Sequence, residues 1–212
     1  MQIFQSIYSS FASVVAAVVS IFGVNMGTEQ PRYDVLERFG DKIEIRQYGP
    51  RVAAETIVDA STSDNARGDA FRLIAGYIFG ANKTSENVAM TSPVEISSPG
   101  TKIAMTAPVE VNKSADGLVM RFFMPSKYSI DQLPEPSNPR VKLTQMPSTT
   151  VAVLRFTGST GDPAVTTRTA ELIRSLETTK WKIVGPATAF FYNPPWAIPF
   201  LRTNEVVIPV TK

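Results

Sequence analysis

Neither cysteine nor histidine occurs among the 212 residues of this chain. That double absence excludes disulfides, a thiolate nucleophile, a histidine general base and zinc held by His or Cys. Ser-His-Asp and Cys-His mechanisms are closed to it. The lack of thiols leaves the redox compartment open, because such a chain tolerates either environment. Charge is scarce too. The formal net charge is +2, and lysines and arginines are scattered rather than striped, which gives nucleic-acid binding little support. Residues 1–28 carry no charge at all. Within them, residues 3–24 form an apolar run long enough to cross a bilayer, for which about twenty residues are needed. A secretory signal normally has a basic start and a small-residue cleavage box. Here no Lys or Arg precedes the run, and Gly23-Val24-Asn25-Met26-Gly27 offers no clear box. The reading favoured is a membrane anchor through residues 3–24, with an exported protein as the alternative if the segment is cleaved and a buried soluble helix as the third. Glu29, Arg32, Asp34, Glu37 and Arg38 nearly cancel, so the side of the membrane is not set.

What is present is a core-forming composition, 43% hydrophobic, and one doubled motif. Ala-Met-Thr-Ser-Pro-Val-Glu at 89–95 is echoed by Ala-Met-Thr-Ala-Pro-Val-Glu at 104–110, with Ser97, Ser98, Pro99 and Gly100 between as turn residues. Each proline belongs at a strand start, an edge or a bulge, since it cannot donate to a ladder. The pattern reads as two edge-like strands around a loop. Met90 and Met105 are also suited to line one wall of an apolar site, because Met is a flexible gap-filler.

The folded domain is expected over residues 29–212. Tyr33–Leu36 and Ile43–Gln47 bracket a hairpin turn at Phe39-Gly40-Asp41, and Val52–Val58 reads as a further strand. Ala66, Ala70, Leu73, Ile74, Tyr77 and Ile78 recur at helical spacing, predicting a helix over 66–78 that stops near Gly80. Leu118–Met124 is the next strand, and 125–139 a proline-rich connector. The pattern then begins again: strands at 141–146 and 151–156, a helix with Asp162 as N-cap and Pro163 first, and strands at 182–184, 187–192 and 205–210. Two strand–strand–helix–strand–strand halves imply an α+β domain: a closed or nearly closed antiparallel β-barrel with a helix on each half.

Several blocks in order resemble one family. They are the doubled Ala-Met-Thr-Ser/Ala-Pro-Val, Gly76-Tyr77-Ile78-Phe79-Gly80-Ala81-Asn82, Met120-Arg121-Phe122-Phe123-Met124-Pro125, Tyr192-Asn193-Pro194-Pro195-Trp196 and Phe200-Leu201-Arg202-Thr203-Asn204-Glu205-Val206. Together they look like the SOUL haem-binding family over about Glu29 to Val210. The resemblance implies a distorted eight-stranded β-barrel with two helices. It also implies non-catalytic binding of haem or another tetrapyrrole (porphyrin) in an apolar groove beside the first helix, as buffer, carrier or sensor. Some members are thought to use an axial histidine, which this chain lacks. It would hold the macrocycle by hydrophobic contacts, or ligate iron through Met90, Met105 or Tyr77, with Tyr192 a further residue of suitable type. Burying on the order of 400 Å² of macrocycle contributes roughly 10 kcal/mol gross, much of it offset by the cost of association.

Groove candidates are Phe71, Ile74, Tyr77 and Ile78, facing Met90 and Met105; ordinary core packing is the competing reading for Ile74 and Ile78. Arg67 and Arg72 could pair with propionates as charge-assisted donors, or simply be solvated. Trp196 could be held as a lid by its prolines, while Arg202 and Glu205 are expected to form an ion pair that fixes that loop. Asn82-Lys83-Thr84 fits the glycosylation pattern, a common chance match. A second reading is a barrel that binds an amphipathic effector or a protein partner, by analogy of fold alone. An enzyme is the weakest reading, since no paired carboxylates stand out in a motif.

Overall fold

In the computed structural model, residues 29–59, 65–84, 87–88, 91–97, 117–193 and 197–212 are described. The segment read as an anchor, the second copy of the doubled motif, Met90, Met105 and Trp196 lie outside them. Among the described residues no helix is long and apolar enough to cross a membrane.

The first hairpin joins β1 (Tyr33–Phe39) to β2 (Ile43–Tyr48), turning at Gly40, whose φ of 60° suits a residue without Cβ. Gly49-Pro50 then leads into β3 (Arg51–Val58). Helix α1 (Ala66–Ile78) begins where Asn65 Oδ1 accepts the Gly68 amide at 3.1 Å. Pro93 sits just before β4 (Val94–Ser97), at a strand start as its missing N–H requires. After β5 (Leu118–Phe123) and the connector, the second half supplies β6 (Val141–Met146), β7 (Thr149–Phe156), α2 (Asp162–Leu176), β8 (Lys182–Ile183), β9 (Thr188–Phe191) and β10 (Asn204–Thr211). The second helix starts one residue earlier than its sequence suggests. Gly161, in extended backbone, is the N-cap, and Asp162 falls inside the first turn, where a carboxylate suits the helix dipole.

All strand pairings are antiparallel, and the path runs β1-β2-β7-β10-β9-β4-β5-β3-β6, with β8 attached to β10. Eight of its strands, all but β1, read the same from either end. β2, β7, β10 and β9 of one side correspond to β6, β3, β5 and β4 of the other, and β4 pairs with β9 at the seam. The sheet curls into a half-barrel whose outer strands, β1 and β6, do not pair with each other. Alternation along each strand divides the core into three. Met120 and Phe122 of β5 point outward and pack under α1 with Ala54, Ala70 and Ile74. Leu154, Val206 and Ile208 point outward beneath Leu172 and Leu176 of α2. Phe123, Val153, Phe190 and Val207 point inward and fill the curl.

Candidate functional site

Helix α1 lies over β3, β5 and β6, and α2 over β7 and β10, so the outer face of the central strands β4 and β9 falls between the two helices. One cross-strand row crosses this strip: Ala54, Phe122, Val94, Phe191, Asn204 and Phe156 are successive partners. Partners share a face. Phe122 and Phe156 are covered, whereas Val94, Ile96 and Phe191 are only half-buried. Phe71 of α1 borders the strip, its ring tilted against Phe122 at 5.6 Å between centroids and still 38% exposed. Arg67, one turn earlier, places its guanidinium carbon 5.8 Å from the Phe191 centroid. It also donates to the Thr160 carbonyl at 2.8 Å and to Asp162 at 2.5 Å, latching α1 to the start of α2. The result is an apolar floor with an aromatic wall and a cation at its edge.

The remaining sequence candidates are dispersed around this groove. Arg72 is exposed and pairs with Asp69 one turn back. Ile74 and Ile78 are fully buried beneath α1. Tyr77 is buried among them, and its hydroxyl donates to the Pro134 carbonyl at 2.9 Å; burial pushes its pKa up to about 12. Tyr192 points to the opposite side of the sheet and donates to Glu205 at 2.7 Å. Phe191 and Val94, which form the floor, escape sequence reasoning, because only the β4–β9 pairing makes them neighbours. Phe79, just beyond α1, is 67% exposed. Asn82 is buried and donates to the Tyr77 carbonyl at 3.2 Å, a placement unsuited to glycosylation. Among the described residues no group of three or more acidic side chains could hold a metal ion.

The inner face carries charge. Along one row Glu55 pairs with Arg121, Arg121 with Glu95, Glu95 with Phe190, Phe190 with Glu205, and Glu205 with Arg155. The expected Arg202–Glu205 pair is not what holds Glu205. Its inward-facing carboxylate takes two bonds of 3.1 Å from Arg46 and one of 3.3 Å from Arg155. Arg202, before the strand, donates to the Ala197 carbonyl at 2.9 Å. Burial alone would lower Arg46, but the Glu205 carboxylate more than offsets this and holds the guanidinium firmly charged. Tyr192 is driven well above the usual phenol range by burial and by that same carboxylate. Glu95 is pushed up by burial, partly offset by Arg121 at 2.8 Å.

The family model described as SOUL heme-binding protein matches residues 28–209, most of the chain. A comparison with curated proteins returns no match. Among solved structures, the C-terminal domain of EcmrR superposes with a TM-score of 0.56 at 9% identity, over 82% of this chain and 99% of that one. An uncharacterised conserved protein from Listeria innocua gives 0.56 at 15% identity, over 80% and 92% of the two chains. A hydrolase from the same organism gives 0.52 at 13%, over the same shares. At these identities the likeness is one of fold.

Proposed function

Because the chain belongs to the SOUL heme-binding protein family, we propose that it binds haem or a related tetrapyrrole, without catalysis, in the groove between α1 and the outer face of β4 and β9. The observation that supports this is the half-buried Val94–Phe191 floor bordered by the exposed ring of Phe71. A flat macrocycle would cover that surface, which neither helix covers. Arg67 at the groove's edge and the exposed Arg72 on the same helix would pair with propionates by exchanging bonds they now make, Arg67 to Asp162 and Thr160 and Arg72 to Asp69. Tyr77 and Tyr192 would have to give up hydrogen bonds to reach an iron, and Met90 and Met105 lie outside the described residues, so the proposed affinity rests on hydrophobic contact. Tethering through residues 3–24 would keep such a buffer, carrier or sensor at a membrane.

The test is an absorbance titration of the full-length chain with haemin, run beside metal-free protoporphyrin. Saturation by both with similar affinity is expected, with Phe71→Asp weakening both about tenfold or more. Saturation by haemin alone would mean that iron ligation dominates. Loss of neither ligand in Phe71→Asp, or binding of neither to the wild type, would overturn the assignment.

A further inference from the structure

At the rim of the half-barrel a cavity of about 720 Å³ opens between the start of β1, the β2–β3 turn and the chain leaving β5. Its volume is that of a small-molecule site. Tyr33, Val52, Phe123, Met124 and Tyr128 supply apolar and aromatic wall, and Arg51 lies among them. Phe71, Val94 and Phe191 do not line it, so it is separate from the outer groove.

Arg51 is held by faces rather than by acceptors. Its guanidinium carbon sits 4.5 Å from the Tyr48 ring centroid and 5.0 Å from that of Phe123. Its Nε and Nη1 are shut off from solvent and have no hydrogen-bond partner among the described residues. Such a state is uncommon, because buried donors are nearly always satisfied. The nearest internal carboxylate, Glu95, is bonded to Arg121 instead. Burial lowers the Arg51 pKa, as expected of a cation short of compensation. Because those two donors are closed to solvent, a carboxylate entering the cavity would meet Arg51 only where the residue lines it, supplying a counter-charge to the guanidinium rather than an acceptor to Nε or Nη1.

The rim narrows the choice of anion. Asp34 and Asp131 stand there with Arg32, and Glu29 accepts the Ser126 amide at 2.8 Å, which keeps its carboxylate ionised. Three carboxylates at the mouth oppose a polyanion such as a phosphate ester, and less strongly a single charge on an apolar body. We propose that this cavity is a second ligand site, specific for a monocarboxylate carried on a flat apolar frame, with Arg51 as its anchor. The site stands whether or not the outer groove takes a tetrapyrrole.

The probe is 2-naphthoate, titrated calorimetrically into the full-length chain, with methyl 2-naphthoate as its uncharged counterpart. Saturable binding of the acid is expected, with the ester at least about tenfold weaker and Arg51→Met weakening the acid by a similar factor. Arg51→Met keeps an unbranched side chain beside Tyr48 and Phe123 and removes the guanidinium that lies over them; its fold is checked by circular dichroism. Should it fail to fold, Tyr128→Ala, which opens the wall, is expected to weaken both acid and ester. Phe71→Asp is expected to leave naphthoate unchanged and to weaken haemin, which separates the two sites. Equal affinity for acid and ester, an Arg51→Met variant that binds as well as wild type, or no saturable binding to the folded chain would each overturn the proposal.

Discussion

Glu205→Gln puts the inner charge network to its most direct test. Glu205 is 0% and Arg46 1% exposed, and two parallel bonds of 3.1 Å join them across 159 residues of sequence. An amide keeps the shape but presents one oxygen and one NH2 group, so one Arg46 N–H would face another donor. Arg46 would keep a single carboxylate, Glu44, at 2.7 Å from its Nε. Removing one partner of a buried pair costs about 3–5 kcal/mol. For a domain of this size each kcal/mol moves Tm by about 2–4 °C, so a fall of roughly 6–20 °C is expected. The assays are thermal and urea denaturation followed by circular dichroism, with Glu205→Met, Arg46→Met and the double variant Arg46→Met/Glu205→Met forming a cycle. The double variant is expected to be clearly more stable than the sum of the singles predicts, because removing both charges removes the unpaired one. A Glu205→Gln loss under about 1 kcal/mol, or strictly additive singles, would refute a tightly coupled buried pair.

Alkaline pH should act through the buried tyrosines. Burial, and then the Glu205 carboxylate, push Tyr48 up to about 12, and Tyr77 reaches about 12 through burial. A phenol raised in the folded state contributes stability that is fully present below its unfolded value near 10 and lost as pH rises through the folded value, at about 1.4 kcal/mol per pH unit for each group. The urea midpoint is expected to fall steeply between about pH 10 and 12, less steeply in Tyr48→Phe; a flat profile would show that these hydroxyls ionise freely. At Gly117, φ is +102° and an added Cβ would lie 2.5 Å from the Val58 carbonyl oxygen. Gly117→Ala is therefore expected to cost roughly 2 kcal/mol or more, read as a shift in the denaturation midpoint, and a neutral outcome would refute the close approach.

The elements were legible where periodicity is local. The apolar spacing from Ala66 to Ile78 marks α1 at both ends, and Gly40 between two alternating segments marks the first hairpin. Hidden from the sequence were contacts that only the sheet creates. Glu205 lies three residues after Arg202, so proximity suggests that pair; strand direction instead turns Glu205 inward to Arg46. Likewise Phe190 and Phe191 are adjacent in the sequence. The pleat sends the first into the curl and the second to the groove floor, and which goes where depends on the β4 register. Tyr77 illustrates the converse: its residue type suits a site, but its hydroxyl is committed to Pro134.

The seam between β4 and β9 also bears on how copies of the chain avoid one another. The sheet order is symmetric about that seam, so either half could in principle pair with the same half of a second molecule, β4 against β4. The residues at the seam are unequal: Glu95 faces Phe190. A β4–β4 pairing in the same register would set two buried Glu95 carboxylates against each other, each with a single Arg121 that it shares with Glu55. The correct union meets no such repulsion. One acidic residue on one side of a near-symmetric joint thus lets the two halves prefer each other over themselves, a discrimination made by penalising the wrong partner.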